Sequence, residues 1–228
     1  SPNTHAQAPE WAYQVNDGEL QPRDESILRS VPGSDRAYTQ PHIDNHWTPP
    51  DWFPEDHAPL PPVVADGAGE HVRACAACHL ASGAGHPESS HLAGLPVDYI
   101  LQQMADFKSG VRVDRYWMNE FAEAISAEDS REAAEYFAAL EPIPWVEVVE
   151  TDTVPRTYSG DGRMRFEHPD GGTEPLGQRI IELPLDPELA KSRHPYSGFT
   201  AYVPVGSVAR GEDLATTGAD GTTVQCAI

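Results

Sequence analysis

Two cysteines and a histidine stand at a spacing that suits covalent attachment of a porphyrin. Cys75, Cys78 and His79 form the run Cys-Ala-Ala-Cys-His, and such a run is the signature of c-type haem attachment. Two thiols add across the two vinyl groups of one porphyrin, and the imidazole of the next residue can take the proximal iron position. We therefore predict a haem c bound by Cys75 and Cys78, with His79 as the proximal iron ligand.

Two other uses of a Cys-x-x-Cys pair are disfavoured. A structural zinc site needs a second ligand pair at finger-like spacing, and the sequence contains none. A thioredoxin-like redox pair needs a strand-to-helix context, and the segment before Cys75 does not have the pattern of a strand. Haem attachment accounts for all three residues of the motif.

Charge and composition narrow the classes of function. The 228 residues carry a formal net charge of -21 at pH 7. Such a surface repels nucleic acid and anionic membranes, and it suits either solubility or a basic docking partner. No apolar run approaches the length of a membrane span. The sequence also contains no P-loop, dinucleotide-binding or Gly-x-Ser-x-Gly motif.

The third cysteine raises the question of a second haem. Cys226 lies in the tail Val-Gln-Cys-Ala-Ile at 224–228, where one more cysteine and a histidine would complete a second motif. We therefore expect the chain to end inside a second haem motif, with Cys226 binding a second haem c if the chain continues past Ile228. The alternative is a lone thiol or an intermolecular disulfide.

Composition and patterning divide the chain into four parts. The first holds 11 of the 22 prolines, which disfavours regular helix or sheet, but its aromatic side chains can anchor it as an extended arm over a folded domain. The second is predicted to be helical, the third to be a β-rich insert, and the fourth to begin a second domain similar to the second part. The four parts are residues 1–65, 66–141, 142–208 and 209–228, and the predicted strands of the insert are 145–150, 179–183 and 199–203.

Three helices are predicted in the second part. The first begins within 66–70 and runs into the haem motif. The next covers about 97–108, where apolar residues recur at helical spacing, and it ends before Gly110. The last begins after Ser126, a good N-cap residue with Asp129 at the N3 position.

This helical part resembles a class I c-type cytochrome domain. The resemblance is carried by the haem motif, by Leu-Ala-Gly-Leu-Pro at 92–96, by a Tyr-Ile-x-x-Gln-x-x-Asp-Phe-x-x-Gly helix at 99–110, and by an Ala-x-Tyr-Phe-Ala-x-Leu ending at 134–140. Tandem dihaem bacterial electron-transfer cytochromes look most similar, over about a third of the chain. The resemblance implies a mainly α cytochrome c domain, to which the proline-rich N-terminal arm and the small β-rich insert are additions.

The resemblance also implies the distal iron ligand. This fold places its axial methionine in the loop between the second and third helices, where Met118 lies. Met104 is less suitable because it lies on the apolar face of a helix, where methionine usually packs in a core, and Met164 lies in the β-rich part. Bis-histidine ligation and an open distal site remain alternatives. The candidate histidines are His71, His86 and His91.

Further side chains are expected around the porphyrin. In this fold a proline carbonyl usually accepts the hydrogen bond from the proximal histidine; Pro87 is the predicted acceptor, and Pro96 is the second choice. Trp117 is expected to pack on the haem edge. Arginines suit the carboxylate geometry of the propionates. The candidate arginines are Arg73, Arg112 and Arg115.

The predicted function is that of a periplasmic electron carrier and not that of an enzyme. Iron held on both faces has no free position for a substrate, so the protein would carry single electrons between respiratory or dehydrogenase partners. Covalent haem attachment takes place outside the cytoplasm in bacteria, which indicates the periplasm. Two alternatives remain: a haem enzyme or gas sensor with an open distal site, similar to a peroxidase, and a haem-bearing subunit of a larger complex.

Overall fold

The computed structural model describes residues 24–86, 89–114, 116–160, 162 and 164–226. Helices and short strands alternate with long irregular segments in these ranges. The helices are α1 Gln40–Ile43, α2 Pro62–Ala65, α3 Ala76–His79, α4 Val97–Ser109, α5 Met118–Ala124, α6 Ala127–Ala138, α7 Pro187–Lys191 and α8 Ser207–Gly221. The strands are β1 Leu28–Arg29, β2 Tyr38–Thr39, β3 Val146–Glu150, β4 Thr153–Pro155, β5 Thr157–Ser159, β6 Arg165–Glu167, β7 Thr173–Pro175, β8 Ile181–Pro184 and β9 Phe199–Val203.

The internal contacts divide the chain into two units. The first unit contains the haem motif, and its described residues lie within 24–145 and 185–198. The described residues of the second unit are 146–184 and 199–226. The predicted insert over 142–208 is therefore not one block, because 185–198, which include α7, pack with the haem motif.

Helices α4 and α6 confirm two sequence predictions. Helix α4 ends before Gly110, whose φ of 74° is the left-handed C-cap geometry that glycine adopts without strain. Helix α6 begins after Ser126, whose hydroxyl accepts a hydrogen bond from the backbone N–H of Asp129 at 3.0 Å. Both helices contribute to one hydrophobic core. Its buried members are Val63, Val64, Val72, Ala76, Ile100, Ala133, Ala134, Tyr136 and Phe137.

The prediction of a helix that begins within 66–70 is wrong. Helix α2 ends earlier, at Ala65, and the chain then forms a turn closed by an isolated bridge between Ala68 and Val72. Gly67 has a φ of 74°, and a Cβ at this position would collide with the carbonyl of Val72. Gly67 therefore belongs to a tight turn. The periodicity of apolar residues in the sequence does not distinguish such a turn from the start of a helix.

The described part of the predicted arm is anchored by aromatic packing. Trp52 is 1% exposed and packs with Val31, Ile43 and Phe53 in a small core of its own. The indole N–H of Trp52 donates to the carbonyl of Ser192 at 2.8 Å, which joins the arm to the returning segment 185–198. Residues 1–23 of the predicted arm lie outside the described residues.

The described residues of the second unit form three small sheets. In the largest, the central β9 pairs in parallel with β3 and antiparallel with β8, while β4 pairs with β7 and β5 with β6. The core of this unit consists of Val154, Leu176, Ile181 and Leu183, with Tyr202 packed against it. The three predicted strands correspond to β3, β8 and β9. Within the described residues, no helix has both the length and the apolar character that a membrane crossing requires.

Candidate haem-attachment site

The haem motif forms a single helical turn. Helix α3 starts after Cys75, whose N–H donates to the carbonyl of Val63 at 3.2 Å, and His79 N–H closes the turn onto the carbonyl of Cys75 at 2.9 Å. The turn ends at Leu80, which has φ 60° and ψ 160°, a conformation that costs a non-glycine residue free energy. The side chain of Leu80 is buried, so tertiary packing holds the residue in this geometry and directs the chain away after His79.

The two motif cysteines are suited to a shared ligand. Cys75, the N-cap residue of α3, has helical backbone angles and lies three residues before Cys78, so that the two side chains project from the same side of the turn. Both are half-buried, and neither forms a disulfide. Burial raises the pKa of the Cys75 thiol to about 12, and the nearby Cys78 and Asp129 add to the shift. The Cys75 thiol is therefore neutral at physiological pH.

The structure fixes the tautomer of His79. Its Nδ1 lies 2.8 Å from the carbonyl oxygen of Ser90, and because a carbonyl can only accept, Nδ1 must carry the proton. Burial lowers the pKa of His79, against the opposing effect of the Ser90 carbonyl, and the nearby His86 lowers it further. His79 is thus a neutral imidazole with an unprotonated Nε2, the form that binds iron.

The acceptor for His79 is not the residue that the sequence suggested. Ser90 takes the part that was predicted for a proline. Pro96 is instead the residue before α4, and Pro87 lies outside the described residues. A backbone carbonyl can come from any residue type, so the side chain at this position gives no signal in the sequence.

The donor set of α3 fits a c-type haem. Two thiols on one turn and a neutral imidazole with its outer nitrogen held supply two thioether bonds and one axial ligand. Partly buried apolar side chains pack against the core that includes Ala76 of α3, and the ring of Phe137 lies 6.1 Å from the ring of His79, centroid to centroid. The partly buried members are Leu60, Ala68, Cys75, Leu92, Leu95, Val97, Leu101, Ile125 and Leu140. In the described ranges, no three His, Cys, Asp or Glu side chains are grouped as ligands of a separate metal ion.

The three methionines occupy different environments. Met118 is half-buried and is the first residue of α5. Met104 is half-buried within α4. Met164 is 3% exposed in the second unit. The assignment of the distal ligand to Met118 stays a prediction.

The segment that carries Met118 is held by two polar side chains. The carboxylate of Asp114 accepts hydrogen bonds from the backbone N–H groups of Tyr116, Trp117 and Met118 at 3.2, 2.6 and 2.9 Å. The amide of Asn119 accepts from Asp114 N–H at 2.6 Å and donates to the carbonyl of Phe107 at 2.6 Å. Sequence reasoning did not identify either residue, because an Asp four residues before a methionine is not a recognised pattern.

The two described arginine candidates have partners within the protein. The guanidinium of Arg73 donates to Nδ1 of His46 at 2.6 Å and lies 3.9 Å from the centroid of the Trp117 ring. Arg112 donates to Gln103 at 2.6 Å and lies over the ring of Phe107. Neither contact is with an acid, so both cations keep charge that a propionate can use. Arg115 lies outside the described residues.

The histidines proposed as rival ligands differ in burial. His71 is exposed, and its Nδ1 lies 3.7 Å from a carboxylate oxygen of Glu120. The Nε2 atom of His91 is buried and has no hydrogen-bond partner among the described residues, and burial lowers the pKa of this side chain. His91 therefore presents a neutral ring nitrogen that is available to a bound group.

The returning segment 185–198 contacts the haem motif directly. The guanidinium of Arg193 donates to the carbonyl of Ala77, between the two cysteines. The hydroxyl of Ser82 donates to the carbonyl of Pro195 at 3.2 Å. These contacts join residues more than 110 positions apart, and no local pattern in the sequence signals them.

The arm carries a pH-sensitive pair near the motif. Nε2 of His57 lies 3.2 Å from a carboxylate oxygen of Asp51, and Nδ1 lies 2.8 Å from the carbonyl of Ala58, so both ring nitrogens face acceptors. The hydrogen bond to Asp51 raises the pKa of His57 against the opposing effect of burial, and the Ala58 carbonyl and the charges of Asp51 and Asp56 reinforce the rise.

Replacing His57 is expected to change how stability depends on pH. A folded pKa above the unfolded value of about 6.5 adds stability that is fully present below that value and is lost as the pH rises through the folded pKa. The loss of unfolding free energy in His57→Gln should therefore be larger at about pH 5.5 than at about pH 8.5. Urea denaturation of both proteins at the two pH values measures this difference, and an equal loss at both contradicts the assignment.

Cys226 is exposed, and its backbone N–H donates to the carbonyl of Ala215 in α8 at 2.9 Å. This α8 begins close to the predicted start at 209, and its C-terminal part turns left-handed at Gly218, Ala219 and Asp220. Residues 227 and 228 of the predicted second motif lie outside the described residues. The second haem remains a prediction.

Comparison with characterised proteins supports a cytochrome. No family model matches the chain. It is similar to cytochrome c-552 of Acidithiobacillus ferridurans, with 35% identity over 71 residues, which are 31% of this chain and 30% of that protein. It is also similar to the thiosulfate dehydrogenase electron acceptor of Thiomonas intermedia, with 34% identity over 91 residues, 39% of this chain and 38% of that protein. The chain thus spans about a third of the length of these relatives.

Solved structures of cytochromes also align with part of the chain. Cytochrome c4 of Acidithiobacillus ferrooxidans aligns with a TM-score of 0.31 and 33% identity, over 32% of this chain and 44% of that one. Cytochrome c4 of Pseudomonas stutzeri aligns with a TM-score of 0.29 and 28% identity, over 30% of this chain and 39% of that one. Together with the Cys-x-x-Cys-His motif, the sequence similarity to cytochromes supports a c-type cytochrome whose cofactor is covalently bound haem c.

Proposed function

We propose that this protein is a periplasmic electron carrier in which His79 and Met118 ligate one covalently bound haem c. The observation that carries the proposal is the hydrogen bond from His79 Nδ1 to the Ser90 carbonyl at 2.8 Å. It leaves Nε2 unprotonated and fixes the ring plane, as a permanent axial ligand requires. The cysteine pair on the same turn supplies the covalent anchor.

Each group of the site has a separate task. Bound haem supplies a one-electron iron couple. Cys75 and Cys78 fix the position of the porphyrin, and the Met118 thioether would fill the second axial position and favour the reduced state. The apolar core that includes Ala76 of α3 would help to exclude water from the ring. With both axial positions filled from the protein, no site would be left for a substrate, and electrons would pass at the haem edge.

The partners we propose are redox proteins with a basic docking surface. The net charge of -21 at pH 7 favours encounter with a positively charged surface and makes the association rate depend on salt. One relative is named as the electron acceptor of thiosulfate dehydrogenase. By analogy, we propose a periplasmic dehydrogenase as the electron donor of this chain.

Replacing Met118 tests the proposed ligation. The ferric wild-type holoprotein should show the weak absorption band at the red end of the spectrum that marks iron–thioether ligation, and Met118→Ala should lose it, because no thioether then remains at the sixth position. Ferrous Met118→Ala should also bind carbon monoxide within the mixing time, whereas the wild type should not.

Met104→Ala is the matched control, since it removes a half-buried methionine from the neighbouring helix and should keep the band. A band that survives in Met118→Ala rules out this ligand. Rapid binding of carbon monoxide by the wild type points to an open distal site, and thus to a haem enzyme or gas sensor. A six-coordinate wild type without the band points to bis-histidine ligation, for which His91 is the first residue to replace.

A further inference from the structure

We propose that Asp114 and Asn119 are positioning residues that hold Met118 at the iron and thereby keep the distal site closed. The inference rests on the proposed function, because it assumes that Met118 is the ligand. Its basis is the hydrogen-bond network of the loop between α4 and α5.

The carboxylate of Asp114 organises the backbone directly before and at Met118. Its Oδ2 atom accepts from the N–H groups of residues 116, 117 and 118. The first N–H groups of a helix have no partner within the helix, and the residue at the N-cap position of α5, Trp117, provides no side-chain bond to them. Bonds to an ionised carboxylate are about twice as strong as bonds between neutral groups, so one side chain fixes three successive peptide groups.

Asn119 ties this loop to the end of α4. Its Oδ1 accepts from the N–H of Asp114 at 2.6 Å, and its Nδ2 donates to the carbonyls of Phe107 and Arg112 at 2.6 and 3.0 Å. Both Nδ2 hydrogens and Oδ1 are therefore used, which also settles the orientation of the amide. The Met118 segment is thus fixed relative to α4, which packs in the same core as the haem motif.

A second contact fixes the residue just before Met118. The guanidinium of Arg73 stacks on Trp117 at 3.9 Å, and Arg73 lies two positions before Cys75. The loop with the distal candidate is therefore joined both to α4 and to the chain that enters the haem motif. Asp114 and Asn119 are not proposed to contact the iron or the porphyrin. They act through the position of Met118.

The chemistry of a thioether ligand makes such positioning effective. An iron–thioether bond is weak, so its persistence depends on how little freedom the side chain loses when the bond forms. A loop that is already fixed keeps the sulfur near the metal when the bond opens, and so keeps external ligands out. Loosening the loop should raise the population of the open site before it changes the fold.

The test compares Asp114→Ala, Asp114→Asn and Glu123→Ala in the holoprotein. In ferric Asp114→Ala, the thioether band should weaken and external imidazole should bind at least about tenfold faster than in the wild type, the equivalent of one lost hydrogen bond to a charged group. Asp114→Asn keeps an acceptor oxygen, so its thioether band and its imidazole-binding rate should lie between those of the wild type and Asp114→Ala. Glu123→Ala removes an exposed carboxylate from the same helix and should match the wild type.

Each outcome decides a different claim. If the wild type lacks the thioether band, the ligation by Met118 fails and the inference fails with it. If the wild type shows the band, and Asp114→Ala has the same band and the same imidazole-binding rate, only the positioning role is overturned. Should Asp114→Ala yield no holoprotein, Asp114→Asn and Asn119→Ala decide by the same two measurements.

Discussion

Replacing both Cys75 and Cys78 with alanine is expected to abolish covalent haem attachment. Each thioether forms when a thiol adds across a vinyl group, and the thiol hydrogen ends on the vinyl carbon, so no oxidant is needed. Neither thiol forms a disulfide, and both lie on one helical turn beside His79, the proposed iron ligand. Without them, haem would be held only by the proposed axial ligands and would leave when the chain unfolds.

Intact mass after denaturation measures this result. Expressed in a host competent in cytochrome maturation, the wild type should carry the mass of one haem at the motif, and the double variant should carry none. Cys226→Ala is the matched control, because this exposed thiol lies outside the motif and its removal should leave attachment at Cys75 and Cys78 intact. Free thiols and no added mass in the wild type would sink the assignment of haem c.

Local signals explain the parts of the fold that the sequence predicts. Helix α4 has its apolar residues at helical spacing and a glycine at its end, and α6 has Ser126 as an N-cap with Asp129 three residues on. Each signal lies within one helical turn of the feature that it determines. Three of the strands, β3, β8 and β9, follow in the same way from β-branched and aromatic runs between turn residues, whereas the shorter strands were not predicted.

Long-range contacts explain what the sequence could not predict. Segment 185–198 is joined to the haem motif by Arg193 and to the arm by the Ser192 carbonyl, and both groups meet partners more than 110 residues away. No periodicity records such a pairing. The turn after α2 does not follow from the local pattern either, because a side chain at position 67 would collide with the carbonyl of Val72, five residues on.

The candidate site also has parts that the sequence predicts and parts that it does not. The two thiols and His79 are predicted from one motif, because haem attachment requires their spacing. The residues that support them do not: the acceptor for His79 is a backbone carbonyl, that of Ser90, and the Met118 loop depends on Asp114 and Asn119, which are ordinary polar residues in composition. Supporting groups are defined by their positions in the folded protein, so the sequence alone does not identify them.

Phe137→Ala is expected to be the most destabilising of the single substitutions considered. Phe137 is 1% exposed within the core shared by α2, α4 and α6, and truncation of a buried phenylalanine costs about 3–5 kcal/mol of unfolding free energy. The backbone of Phe137 also accepts a hydrogen bond from Gly94, so that the cavity cannot close easily by moving the helix. Urea denaturation of the holoprotein should show a lower midpoint with little change in slope.

This substitution also tests whether the core supports the iron ligand. The Phe137 ring lies 6.1 Å from the His79 ring at an interplanar angle of 68°, and its loss leaves one side of the imidazole without packing. Tyr99→Ala, which removes a half-exposed aromatic ring from α4, should cost about 1 kcal/mol or less. A loss of under about 1 kcal/mol in Phe137→Ala would mean that the haem, through its covalent bonds and axial ligands, carries the stability that we assign to this core.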